Sequence, residues 1–217
     1  MSVSVFQKNI VVTYTAALAA AELTPLALEI EAQAIARSII RSGDKCLSMI
    51  VDFGKTRSSF FIARDSAVLF TTTVDHLGGE DLTKAVQKNL NLGYAEAEKL
   101  KVEKGLLGGQ TNKELFFALL PLVSILRDEI IKHYSWWESR RGETHLDQPI
   151  EQIIICGGQA TLPGLIDYLN LAWPVRIGNP WTNLFSFEEY IPAINLNQAL
   201  RYTTSLGLAL RSHLAES

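Results

Sequence analysis

Apolar residues along this chain follow two rhythms. Ile10, Val11, Tyr14, Leu18 and Ala21 recur at three- and four-residue steps over residues 8–22 until Thr24-Pro25 stops the pattern, which predicts an amphipathic helix. Residues 26–30 form a short apolar run suited to a strand. Residues 32–40, with Ile35, Ile39 and Ile40 on one side, predict a helix that ends before Gly43. Only residues 3–5 could form a strand ahead of the first helix. After Lys45 the rhythm shortens. Residues 46–53 make an almost continuous apolar strand, 58–63 a second and 67–74 a third. Gly54-Lys55-Thr56-Arg57 and Arg64-Asp65-Ser66 are hairpin-sized gaps between them, so the three strands form a meander.

Beyond Gly78-Gly79 the helical spacing returns over residues 80–90, with Leu82, Val86 and Leu90 at four-residue steps. Residues 150–156 predict another strand, 163–171 a helix, 175–177 a short strand and 198–214 a closing helix. A helical segment over about 91–148 is inserted, with helices at 94–104 and 114–140 and a flexible break at 105–109. The resulting α/β order, a βββαβαβα core with an inserted helical subdomain, implies a mixed sheet with helices on its faces and resembles the ribonuclease H-like fold. No internal repeat or low-complexity tract interrupts it.

Composition narrows the function. At 217 residues and 47% apolar content the chain can bury a core. Its 20 basic and 23 acidic residues leave a net charge of −3, without the basic excess that would hold nucleic acid. Cys46 and Cys156 are too few for a disulfide framework or a four-thiolate metal site, and the four histidines lack ligand spacing, which fits a reducing cytoplasm. The longest apolar run, residues 115–126, is too short to span a bilayer, and residues 1–8 do not read as a secretory signal, so no direct membrane insertion is expected.

Three groups of residues could carry chemistry. The first is Asp52-Phe53-Gly54-Lys55-Thr56-Arg57-Ser58-Ser59, at the turn between two strands. A carboxylate at a strand end can hold Mg²⁺ directly or through water, and Gly54 lets backbone N–H groups approach a phosphate; the same letters also make an ordinary turn. The second is Gly157-Gly158-Gln159, which follows a strand and precedes a helix with Pro163 in its first turn. Such a turn admits a ligand closely or simply reverses the chain tightly. The third is Glu98 with Lys101, one helical turn apart, able to reach a ribose hydroxyl and an adenine edge or to form a solvated ion pair. Trp136, Trp137 and Trp181 read as packing residues, and His76 as a surface or hydrogen-bonded histidine.

These residues resemble the actin-like ATPases, and more narrowly the PilM family, cytoplasmic actin-like proteins of type IV pilus assembly. Asp52-Phe53-Gly54, with Ser58 where the family usually has Thr, is similar to the second phosphate motif; Gly157-Gly158 through Pro163-Gly164 is similar to the adenosine motif. Leu26-Ala27-Leu28-Glu29-Ile30-Glu31 with Ala34-Ile35-Ala36-Arg37, the Gly78-Gly79-Glu80-Asp81-Leu82-Thr83 turn, Val175-Arg176-Ile177-Gly178-Asn179-Pro180 and Ser205-Leu206-Gly207-Leu208-Ala209-Leu210-Arg211 extend the likeness over residues 3–211. The resemblance implies ATP and Mg²⁺ held in a cleft between two ribonuclease H-like halves. Asp52, Gly54, Lys55, Thr56 and Ser58 would serve the phosphates, Glu98 and Lys101 the nucleoside, and Gly157, Gly158 and Gln159 the adenosine or α-phosphate. Asp52 would also position the metal or its water.

The resemblance also implies a PilN-like inner-membrane partner and a place at the inner face of the cell membrane. The family's first phosphate motif has no room ahead of residue 3. Residues 1–42 are therefore expected to be a remnant of the first half with its connecting helix, and 43–214 the second half. An excised part, an internal start or one half of a split protein would each produce such a chain, with at most weak ATPase activity of its own. The first helix should then expose an apolar stripe and favour self-association or a complementary chain. Two other readings stay open: a scaffold that has lost nucleotide, and an FtsA-like division protein, which the short polar tail after Arg211 disfavours.

Overall fold

The computed structural model describes residues 7–110, 112–141, 148–169, 173–186, 188 and 190–215, with side chains throughout except at 108–110 and 212–215. Helices α1 (Lys8–Ala20) and α2 (Glu31–Ile39) precede the meander β1 (Ser48–Phe53), β2 (Arg57–Arg64) and β3 (Ala67–Asp75). Then come α3 (Gly79–Leu90), α4 (Tyr94–Lys104), α5 (Lys113–Ser139), β4 (Gln152–Cys156), α6 (Leu165–Leu169), β5 (Val175–Ile177), α7 (Leu196–Ala199) and α8 (Thr203–Ala215). The five strands form one mixed sheet in the order β3-β2-β1-β4-β5. β1 is antiparallel to β2 and parallel to β4.

Hydrophobic pattern explains each strand's place. β1 and β4, central and covered on both faces, are buried almost throughout. β3, an edge strand, alternates between half-buried and exposed positions. α5 packs Leu115, Leu119, Val123, Leu126 and Ile130 into the same core as Phe60, Phe61 and Ile153–Ile155. Pro121 inside α5 cannot donate to the Phe117 carbonyl; Phe117 is 64% exposed, so water can take that bond and the helix continues. α8 crosses α2 at Gly207, where a Cβ would stand 1.8 Å from the Ala34 carbonyl oxygen. The Arg37 guanidinium donates to the Gly207 carbonyl at 2.8 Å and to both oxygens of Glu29; Arg211 donates to Glu29 as well. These charge-assisted bonds hold the Glu29 carboxyl below its usual range, against the opposing effect of burial.

Several expectations need correction. Residues 26–30 form no strand: Leu26 is 94% exposed, and no described strand offers the segment a partner. Ile30 instead caps α2. α1, by contrast, meets its expectation: it buries none of its residues completely and leaves the apolar Ile10, Val12 and Tyr14 exposed, with Val11 and Leu18 half-buried. The expected break at 105–109 is ordered as a 3-10 turn, Gly105–Gln110, fastened by the Leu106 N–H to the Pro163 carbonyl at 2.8 Å. α6 starts late because Gly164 takes a left-handed φ of +78°. The closing helix is divided into α7, a 3-10 turn at Leu200–Tyr202, and α8. The possible strand at 3–5 lies outside the described residues. Trp137 and Trp181 are buried, whereas Trp136 stacks on Phe70 and under the Arg140 guanidinium.

Candidate functional site

Parallel pairing puts Asp52 of β1 beside Cys156 of β4, so the turns that leave the two strands begin side by side. Ligands of open α/β sheets bind at such C-terminal strand ends. Contact between the turns requires glycine. Gly157 has a φ of +85°, and a Cβ there would stand 2.3 Å from Asp52 Oδ1 and 2.7 Å from the Phe53 carbonyl oxygen. The Gln159 N–H bonds the same Phe53 carbonyl at 3.0 Å.

The β1–β2 turn is held from behind by α3. The Gly79 N–H donates to the Gly54 carbonyl at 3.0 Å and the Glu80 N–H to the Lys55 carbonyl at 2.8 Å, which occupies amides a helix start would otherwise leave free. A side chain at Gly78 would meet the Lys55 carbonyl oxygen at 2.5 Å. Among the described residues the Lys55, Thr56 and Gly158 N–H groups have no acceptor.

Between these turns, α4 and the start of α8 lies a cavity of about 380 Å³. Asp52, Gly54, Lys55, Glu98, Lys101, Gly157, Gly158 and Gln159 all line it. Gly54 and Gly158, more than a hundred positions apart in the sequence, thus share one pocket. Thr56 and Ser58 do not line it. Thr56 is exposed at the turn; Ser58 is fully buried and its hydroxyl donates to the Leu77 carbonyl, tying β2 to the loop before α3.

Lys101 does not have the free ammonium that nucleoside contact would need. It is 1% exposed, and its Nζ donates to the Gly79 carbonyl at 2.9 Å, Thr83 Oγ1 at 3.0 Å and Glu98 Oε2 at 2.8 Å, using all three of its hydrogens. Burial pulls its pKa down while Glu98 opposes that. Lys101 therefore positions Glu98 and fastens α4 to the first turn of α3. Glu98, half open to the cavity, is held below the usual carboxylate range by Lys101 and Thr83, against the burial that opposes them.

Asp52 is the reverse case. No described side chain or amide bonds its carboxylate; burial first and the Glu31 charge second push it up to about 6, with Arg57 opposing. A largely desolvated, unpaired carboxylate facing a cavity suits a cation. Among the described residues no three His, Cys, Asp or Glu side chains converge on a metal position. Mg²⁺ commonly takes one or two carboxylates and completes its shell with water and substrate phosphates, so this donor set fits Mg²⁺ arriving with a polyphosphate.

Sequence reading missed Glu31, Tyr94, Arg201, Thr203 and Thr204, which line the same cavity. Glu31, the first residue of α2, pairs with Arg57 at 3.3 Å and accepts from Thr204 Oγ1 at 3.3 Å. Its acidic place at a helix start was the one local signal; Arg201 and Thr204 had none, because α8 reaches the site only through its crossing with α2.

Residues 3–213 match the family of type IV pilus assembly protein PilM. This chain belongs to that family. Among solved structures, the PilM-family chain is similar to a protein of a PilM–PilN type IV pilus biogenesis complex, with a TM-score of 0.69 and 23% identity over 93% of this chain and 57% of that one. It is also similar to MreB5 of Spiroplasma citri bound to ADP, with a TM-score of 0.70 and 13% identity over 98% and 67%. These likenesses show the actin-like fold. Cell division protein FtsA of Enterococcus hirae is 26% identical over 197 residues, covering 77% of this chain and 42% of FtsA. The chain spans about half the length of the curated relatives it matches. Among the described residues no helix is long and apolar enough to cross a membrane.

Proposed function

We propose that this PilM-family chain forms one wall of a nucleotide cleft and binds ATP with Mg²⁺ in the service of type IV pilus assembly. One observation carries the reading: an unpaired, largely desolvated carboxylate, Asp52, faces a cavity bordered by turns whose Lys55, Thr56 and Gly158 amides have no acceptor. Mg²⁺ would supply the charge that lets a polyphosphate enter a pocket lined by Glu31, Asp52, Glu80 and Glu98. Asp52 would hold the metal or its water, the turn amides would meet phosphate oxygens, and Glu98, aimed by Lys101, would accept from ribose hydroxyls. Residues 43–214 correspond in this reading to the second actin-like half and 1–42 to a remnant of the first. Likeness to a protein from a PilM–PilN complex supports a PilN-like inner-membrane partner, which would bring the chain to the membrane face.

Calorimetric titration of this chain with ATP plus Mg²⁺ tests the reading. Saturable, Mg²⁺-dependent binding that is lost in Asp52→Ala is expected, with negligible hydrolysis. No heat in either protein would favour a scaffold that works without nucleotide.

A further inference from the structure

β3 is an edge of the sheet: β2 pairs one side of it, and among the described residues no strand lies beyond the other. Exposed edges are commonly blunted by lysine, proline or a bulge. In β3 a register shift against β2 leaves Leu69 without a partner in the ladder, but residues 70–74, Phe-Thr-Thr-Thr-Val, carry neither charge nor proline. Among the described residues no backbone group outside β2 bonds those five. Nearer the hairpin the edge is already in use. The Gln33 side chain of α2 donates to the Ser66 carbonyl and accepts from the Val68 N–H at 3.4 Å, as a neighbouring strand's peptide group would. What stays open is residues 69–75, with Thr72 at their centre.

The two ends of that stretch carry opposite charge. Leu69, 40% exposed, borders a cavity of about 430 Å³ whose lining includes Lys45 and Arg64. The Lys45 ammonium has no partner among the described residues, and Arg64 bonds only the neutral Gln148 side chain, at 3.1 Å. Asp65, the one carboxylate of that lining, commits Oδ1 to the Gly43 N–H at 3.0 Å. At the other end Asp75 is exposed and its carboxylate has no partner among the described residues, since Arg57 across the ladder pairs with Glu31 instead.

We propose that the open edge of β3 is the interface of a symmetric dimer, in which β3 of a second copy of this chain lies antiparallel along residues 69–75 with the two-fold axis at Thr72. Two five-stranded sheets then continue as one. That register sets Thr71 of each copy opposite Thr73 of the other, a pairing that stabilises antiparallel sheets. It also sets Asp75 of each copy opposite Leu69 of the other, on the face where Lys45 and Arg64 await a carboxylate. The charges select this occupant: one strand carries both halves of the complement, at opposite ends, as a self-pairing antiparallel edge requires.

Sedimentation velocity over a concentration series tests this on the wild-type chain, on Asp75→Lys and on the double variant Lys45→Glu with Arg64→Glu. All three positions lie on the surface, and circular dichroism melts verify that each variant folds. The wild type is expected to dimerise. Each variant alone, with like charges meeting at both ends of the interface, is expected to associate about tenfold more weakly. An equimolar mixture of the two variants restores opposite charges at both ends and is expected to recover wild-type association as a mixed dimer. Thr71→Lys, which puts a guarding lysine on the edge, is expected to weaken the dimer without changing its charge complement. Association that none of these variants alters would place the contact elsewhere, on the exposed α1 for example, and overturn the assignment. Failure of the mixture to recover association would overturn the register. A wild-type chain that stays monomeric to about 1 mM would leave the edge to a segment of another protein and overturn the proposal.

Discussion

Asp52→Asn isolates the cost of keeping a carboxylate ready for a cation. The Asp52 carboxyl rises from 3.8 to about 6 in the folded chain, chiefly through burial and then through Glu31. A shift of that size is worth at most about 3 kcal/mol. Because the folded-state value lies above the unfolded one, the protonated acid is the form folding favours. Its contribution is complete below about pH 3.8 and is lost as pH rises through about 6. Asparagine matches the protonated acid in shape and never ionises. The variant is therefore expected to equal the wild type near pH 4 and to exceed it by up to ~3 kcal/mol at pH 8, as read from urea unfolding at a series of pH values. Mg²⁺ with ATP should narrow the gap at pH 8 by stabilising only the wild type. A gap that stays constant from pH 4 to 8, or a wild type that is the more stable at pH 8, would refute the reasoning.

Other expectations follow from close contacts. Gly157→Ala should cost more than ~2 kcal/mol in unfolding and displace Asp52, since its Cβ falls 2.3 Å from Oδ1 at a left-handed φ; Gly158→Ala, with Arg201 Cγ as its nearest neighbour at 3.6 Å, should cost under ~1 kcal/mol. Lys101→Met removes three donated bonds from a buried site and should lower stability by about 2–4 kcal/mol in denaturant titration, with Glu98 losing its fixed aim. Gly207→Ala forces α8 away from α2, where its Cβ would stand 1.8 Å from the Ala34 carbonyl oxygen. It should lower the melting temperature by several degrees, about 2–4 °C per kcal/mol lost in a chain of this size.

Much of the architecture could be read directly. β3 and α3 follow from period-two and period-four patterns, because residues whose neighbours in sequence are also their neighbours in space carry their burial in local spacing. β1 and β4 read as unbroken apolar runs because both of their faces are covered. The failures have a common cause. Residues 26–30 look like a strand, yet a strand is defined by its neighbour, and none of the described strands pairs with them. α1, in contrast, forms where its spacing places it and exposes Ile10 and Tyr14, as expected of a helix with nothing packed over it.

The site divides in the same way. Asp52, Gly54 and Gly157-Gly158 could be picked out because strand ends and glycine turns have a signature within a few residues. Their convergence, and the roles of their neighbours, depended on contacts far apart in the chain. Lys101 looked like a ligand-facing charge until its three acceptors were in place. Ser58 looked like a phosphate donor until β2 turned its hydroxyl to Leu77. Glu31 and Arg201 come to the pocket only because Gly207 lets α8 press against α2. Local sequence determined which segments would be helix, strand and turn, since those choices are made by nearest-neighbour sterics and periodic burial. Which charges remain free to meet a ligand was decided by tertiary packing, because a donor is available only after every other acceptor within reach has been satisfied.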